Sequence, residues 1–303
     1  AILALYEQLG LKTLLTAPTG RAAKRMTELT GKEASTIHRL LGAKFSEDVN
    51  RVIFTKNESE LLDCDAVILD ESSMVDIGLM DALVRALSPQ ARLVMVGDVD
   101  QLPPVGPGNV FSALLRSEVM PVVRLTEIFR QTENSRIIYN AHMINRGEYP
   151  RLGENQDGFY RLRRLQADSA LDTIAQLFSV RLPGKLNISP EEIQVLSPRR
   201  KGELGTVNIN RRLQEVLNPA GIDKSEKQFG DAIFREGDRV MQIRNNYDIM
   251  WKNYQSGESG AGIYNGDIGR VVNINNEAET ITVDFDGRVA IFGFESLGEL
   301  EHA

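Results

Sequence analysis

Val67-Ile68-Leu69-Asp70-Glu71-Ser72-Ser73 runs from a wholly apolar segment into two adjacent carboxylates. An unbroken β-prone run, without alternation, reads as a strand buried on both faces, the habit of parallel sheets. Ligands of open α/β sheets gather at the carboxyl ends of strands. Asp70 and Glu71 therefore stand where a ligand is expected, with chemistry suited to Mg²⁺ and to the orientation of a water. Taken alone, the pair reads more readily as a solvated acidic turn.

The neighbouring sequence decides between these readings. A second apolar run, 93–96, also ends in an acidic loop, Gly97-Asp98-Val99-Asp100-Gln101-Leu102-Pro103-Pro104-Val105. Gly97 permits close backbone approach, and Gln101 can both donate and accept hydrogen bonds. Further strands are predicted at 13–17 and 122–125. Helices are predicted at 21–29, 37–41, 77–87, 110–116 and 134–145. Alternation of this kind gives a parallel sheet with helices on both faces. A helix at 2–6, closed by Gly10, precedes it.

One polar segment, 43–63, interrupts the rhythm, and its β-prone centre Val52-Ile53-Phe54 reads as a small inserted hairpin or a surface loop. The first domain is expected over 1–150. Helices at 167–178 and 206–217 around a strand at 193–196 predict an incomplete second α/β unit over 151–228. From 229 to 303 the pattern becomes short alternating strands with tight turns, Asp286-Gly287 the clearest of them. That pattern predicts a small antiparallel barrel.

Composition sets limits. The chain has 303 residues, and 35 basic against 42 acidic residues give a net charge of −7, which excludes a wholly basic nucleic-acid binder but not a local basic groove. One cysteine and three histidines exclude an intrachain disulfide and make a zinc site improbable. A reducing, cytoplasmic setting is the expectation. No apolar run approaches a membrane span of about 18 residues.

Basic and hydroxyl residues mark candidate anion sites. Pro18-Thr19-Gly20 is a loop between a strand and a helix, where backbone N–H groups and the helix dipole favour a phosphate. Arg21, Lys24 and Arg25 share one face of that helix by their spacing. Thr36 and His38 follow a second strand-to-helix junction. Thr36 reads equally as a helix cap, and a lone histidine is more often a packing residue. Ser197, Arg199, Arg200 and Lys201 form a cluster beside Gly202. Aromatics make up only 6%, so backbone tracking is favoured over base stacking.

The pairing of Asp70-Glu71-Ser72-Ser73 with 97–104 resembles the superfamily 1 DNA helicases, and within them the RecD-like branch. Residues 15–23, 35–41, 125–131 and 195–202, with Asn210-Arg211-Arg212-Leu213, are similar to further motifs of that family. The resemblance implies a RecA-like P-loop motor domain, an incomplete second RecA-like domain and an inserted SH3-like barrel. It implies ATP and Mg²⁺ as cofactors, with Asp70 on the metal, Glu71 activating water, and Gly97, Asp98, Gln101 and Arg130 at the nucleotide. Pro18, Thr19, Gly20, Arg21, Lys24, Thr36, His38, Ser197, Arg199 and Arg200 would contact single-stranded DNA or a single/double-strand junction. The hairpin would be a strand-separating pin. Movement would run 5′ to 3′ in DNA repair or recombination, by a monomer or a subunit of a recombination nuclease. A non-catalytic single-strand-binding module is the alternative. The 303 residues contain no Gly-x-x-x-x-Gly-Lys-Ser/Thr loop and do not begin with Met. They look like a fragment, expected to be inactive alone.

Overall fold

The computed structural model describes residues 1–46, 51–125, 136–152 and 158–303. These fall into two units, Ala1–Arg161 and Leu162–Ala303.

In the first unit the elements run α1 (Ile2–Gln8), β1 (Thr13–Ala17), α2 (Gly20–Thr30), β2 (Ala34–Thr36), α3 (Ile37–Leu40), β3 (Ala43–Ser46), β4 (Arg51–Phe54), β5 (Ala66–Leu69), α4 (Ile77–Arg85), β6 (Arg92–Met95), α5 (Val110–Ser117) and α6 (Arg136–Asn145). The main sheet is parallel, ordered β2-β1-β5-β6. All four residues of β5 are buried. Successive side chains of a strand face opposite ways, and both faces are covered. Leu15 and Ile68 pack with Ala23 and Met26 of α2. Leu69 packs on the other side with Ile37, Leu41, Met80 and Leu83. This two-sided burial is why the strand sequence lacks alternation.

The inserted hairpin is present as the antiparallel pair β3–β4. Its base is fastened where Thr55 Oγ1 donates to Leu41 O at 3.3 Å. The strand expected at 122–125 is not formed. That segment is irregular, and Val123 and Leu125 are 89% and 95% exposed. An apolar run becomes a strand only when a ladder partner is beside it, and none is found among the described residues.

The second unit begins with α7 (Ala167–Gln176), α8 (Leu182–Leu186) and α9 (Thr206–Leu217). The strand expected at 193–196 is likewise absent, with Leu196 90% exposed. Residues 162–217 thus supply helices but no strand. After them come β7 (Glu226–Phe229), β8 (Ala232–Arg235), β9 (Arg239–Gln242), β10 (Asn246–Lys252), β11 (Ser259–Ile263), β12 (Ile268–Asn275), β13 (Thr280–Phe285), β14 (Arg288–Gly293) and β15 (Leu300–His302). Strands β9 to β15 form one antiparallel sheet ordered β11-β10-β14-β13-β12-β9-β15. Strand β13 alternates, burying Ile281, Val283 and Phe285 against Val240, Phe292 and Leu297. Asp286 and Gly287 both have positive φ, the conformation a two-residue hairpin turn demands, and Asp284 Oδ1 accepts from Gly287 N at 2.7 Å.

A buried carboxylate joins α9 to this sheet. Asp238, 3% exposed, accepts from Arg235 N (2.7 Å), Gln214 Nε2 (2.6 Å) and Asn218 Nδ2 (2.7 Å), and meets His302 Nε2 at 3.0 Å. Asp238→Ala would strand these donors in a dry site. It is expected to lower stability by about 3 kcal/mol, read from urea denaturation of the full-length protein.

Candidate functional site

The loops leaving β1, β5 and β6 meet at the carboxyl edge of the first sheet. Thr16 is fully buried, and its hydroxyl donates to Ser35 O at 2.9 Å. Pro18 and Thr19 then lead into α2. Thr19 Oγ1 accepts from Ala22 N at 3.3 Å as the helix cap, and Gly20 is buried as its first residue. Arg21 and Arg25 are exposed on α2, while Lys24 lies 3.7 Å from Glu28. An exposed pair of that kind is weak and leaves the lysine available. The basic face predicted from spacing is therefore solvent-facing.

The two residues at the next junction behave differently. Thr36 is 3% exposed, and its hydroxyl accepts from Arg39 N at 3.2 Å, capping α3. His38 is half-buried, its ring tilted 47° to that of Phe54 at 5.9 Å. Both have structural work, the reading that stood beside DNA contact in the sequence. Burial pushes the His38 imidazole below the ordinary histidine range, with Asp76 pulling the other way.

The acidic loop is held by the sheet itself. Asp70 N donates to Thr16 O at 2.9 Å, and Ser72 N donates to Val96 O at 2.9 Å. Asp70 Oδ1 accepts from Glu71 N at 2.9 Å, and Ser72 Oγ donates to Leu69 O at 3.0 Å. Between them Glu71 adopts the left-handed conformation, φ 51° and ψ 38°. A non-glycine residue there is strained and worth notice. Both carboxylates are half-buried.

The loop after β6 lies against this turn. A Cβ at Gly97 would come within 3.1 Å of Ser73 N and 3.2 Å of Ser72 N, so a side chain would part the loops. Beyond it, Asp98 Oδ1 accepts from Asp100 N at 3.0 Å and Asp98 O from Gln101 N at 3.3 Å. Gln101 is exposed. The structure thus brings Asp70, Glu71, Gly97, Asp98 and Gln101 to one sheet edge. Among the described residues no group of three or more metal-ligating side chains occurs. That donor set fits Mg²⁺, which usually takes one or two carboxylates together with phosphate oxygens and waters. Arg130 lies outside the described residues.

Ser197, Arg199 and Arg200 belong to the second unit. Ser197 Oγ donates to Leu204 O at 2.8 Å, closing the loop onto α9, and Thr206 N donates to Arg199 O at 3.0 Å. Arg200 Nε pairs with Glu301 Oε1 at 2.9 Å, whereas Arg199 is exposed with no carboxylate partner among the described residues. Sequence reasoning passed over Ser73, whose burial has no signature in the string of letters, and the strained backbone of Glu71.

The parallel α/β sheet of the first unit is that of a P-loop domain, and the antiparallel sheet of the second is SH3-like. Residues 1–164 match the family described as an AAA domain, and residues 209–285 match the ATP-dependent RecD-like DNA helicase SH3 domain. The chain belongs to the RecD-like family of superfamily 1 DNA helicases. It is 38% identical over 291 residues to the ATP-dependent RecD2 DNA helicase of Deinococcus radiodurans, covering 95% of this chain and 36% of that protein. It is 29% identical over 304 residues to the RecBCD enzyme subunit RecD of Mycolicibacterium smegmatis, covering 85% and 48%. The chain thus spans between about a third and a half of these relatives' length. Among solved structures, Bacteroides Pif1 bound to ssDNA aligns with a TM-score of 0.48 and 21% identity over 96% of this chain and 66% of that one.

Because folding depresses the His38 pKa, the neutral ring's contribution is complete above the unfolded value, about pH 6.5, and is lost as pH falls below it. Thermal unfolding at pH 7.5 and 5.5 should therefore show a smaller acid-induced drop for His38→Gln than for wild type.

Proposed function

We propose that the full-length protein is an ATP-driven 5′-to-3′ DNA helicase that tracks along single-stranded DNA in repair or recombination. The observation that carries this is the shared sheet edge. There Asp70 and Glu71 are fixed by ladder hydrogen bonds and lie against the exposed Gly97–Gln101 loop, while α2 carries exposed Arg21 and Arg25 from the same edge. A non-catalytic DNA-binding module has no use for a strained glutamate beside an aspartate.

Each residue has a defined task in this reading. Asp70 would hold Mg²⁺, which when bound supplies neutralisation of charge on the phosphate oxygens. Glu71 orients water and takes its proton. Gly97 and Asp98 keep the second loop close to the nucleotide, and Gln101 and Arg130 link the phosphate to closure of the motor. Pro18, Thr19 and Gly20 present the start of α2 to a DNA phosphate, with Arg21 and Lys24 beside it. Arg199 and Arg200 bind backbone phosphate from the second unit. Thr36, His38 and Ser197 serve these loops mainly by shaping them, since their polar groups or rings are already engaged. The hairpin β3–β4 acts as the strand-separating pin at a junction. Taken alone, the 303-residue chain, which has no phosphate-loop motif, turns ATP over slowly.

ATP hydrolysis by the full-length protein, with and without single-stranded DNA, tests the reading. Strong DNA stimulation is expected, and Glu71→Gln should cut it at least about 100-fold. Absence of DNA stimulation would sink the helicase reading and favour the binding module. In a filter-binding titration, Arg21→Ala should weaken single-strand affinity evenly across sequences and reduce the salt slope by about one.

A further inference from the structure

Among the described residues, three buried side-chain polar atoms have no hydrogen-bond partner: Ser73 Oγ, Gln242 Oε1 and Arg288 Nε. Gln242 is otherwise bonded to Glu299 at 2.9 Å, and Arg288 to Asp267 at 2.9 Å. Ser73 alone of the three has its entire polar function unpaired, at 5% exposure. Burying a hydroxyl without a partner is unfavourable, so the position calls for an explanation.

Its surroundings supply one. Ser73 sits in the turn that follows Glu71, and its backbone N is the nearest atom to a Cβ at Gly97. The two loops in contact are unequally held. The Asp70–Ser72 turn is bonded into the sheet at both ends, whereas residues 97–101 are exposed and, among the described residues, closed by the local Asp98 contacts. The unpaired hydroxyl thus belongs to the residue whose backbone lies against Gly97, the first residue of the looser loop.

We propose that Ser73 is a positioning residue whose hydroxyl is satisfied only when nucleotide fills the site, by a backbone group of the 97–101 loop. The inference rests on the nucleotide-site reading above. Ser73 touches neither nucleotide nor water. It fixes the loop that carries Gln101 against the loop that carries Glu71, and so registers occupancy in one with the position of the other. Pairing of that hydroxyl would favour the arrangement in which the two loops are drawn together.

The test uses the full-length protein and three variants, Ser73→Ala, Ser73→Cys and Glu71→Gln. Thermal unfolding is measured without nucleotide, and DNA-stimulated hydrolysis is measured over a range of ATP with Mg²⁺. Removing an unsatisfied buried hydroxyl should leave the nucleotide-free melting temperature of Ser73→Ala equal to wild type or higher. Its kcat should fall about five- to ten-fold, the worth of one hydrogen bond, with KM for ATP within about two-fold. Ser73→Cys, which keeps the volume but bonds weakly, should follow Ser73→Ala in rate. A lowered melting temperature without nucleotide would show an ordinary structural serine and overturn the proposal. So would wild-type kcat in both serine variants while Glu71→Gln is dead. If Glu71→Gln retains wild-type hydrolysis, the nucleotide-site reading itself fails, and the inference with it.

Discussion

Three backbone hydrogen bonds carry the parallel ladder past the last residues of its strands: Asp70 N to Thr16 O, Val96 N to Leu69 O, and Ser72 N to Val96 O. Their lengths lie between 2.8 and 2.9 Å. A one-residue slip of a strand turns every one of its side chains to the opposite face. Both faces here are packed, by α2 on one side and by α3 and α4 on the other. The position of the acidic pair is therefore set by the core, and not by the loop that bears it. Residues 97–101 are exposed and lie outside that ladder, and the loop is next tied back where Ile77 N donates to Pro107 O at 3.0 Å, so one half of the edge is ladder-bound and the other is not. That division suits a site that must hold one partner while closing on another.

The second unit solves a different problem by different means. Its helix α9 has to be held to an antiparallel sheet without a shared ladder. Asp238 does this by accepting from the backbone of β8 and from two side chains of α9 and its end. Full pairing makes its burial tolerable, and the geometry of four donors makes the attachment specific. The sheet's own core is conventional by comparison, with Phe234, Phe285 and Phe292 among its fully enclosed side chains.

Much of this was legible in the letters. The runs in β1, β5 and β6, the glycine and asparagine-like turn chemistry at Asp286-Gly287, and the α2 basic face follow from periodicity and local sterics. The segments at 122–125 and 193–196 show the limit. Their apolar runs match β5 in composition, but a strand is a property of pairs, and the string does not say which partner is at hand. Strand β11 escaped for the opposite reason, because Ser259-Gly260-Ala261-Gly262 looks like loop until a neighbouring strand orders it. For the site, residue types pointed to Asp70, Glu71 and Gln101, which the fold sets at the carboxyl edge of one sheet. They did not separate Arg21, which is exposed, from Thr36 and His38, which the fold already occupies. That distinction depends on burial, a three-dimensional quantity.

The left-handed backbone at Glu71 sets folding and chemistry against each other at a single codon. Glycine or asparagine would sit there with less strain, and the strand before it would be unaffected. A library of variants sorted only for stable expression should drift towards those residues at this position. One sorted for motor activity should hold glutamate and carry the strain. Position 71 is thus a point where the history of selection can be read, since what the fold prefers and what the proposed reaction needs are different amino acids.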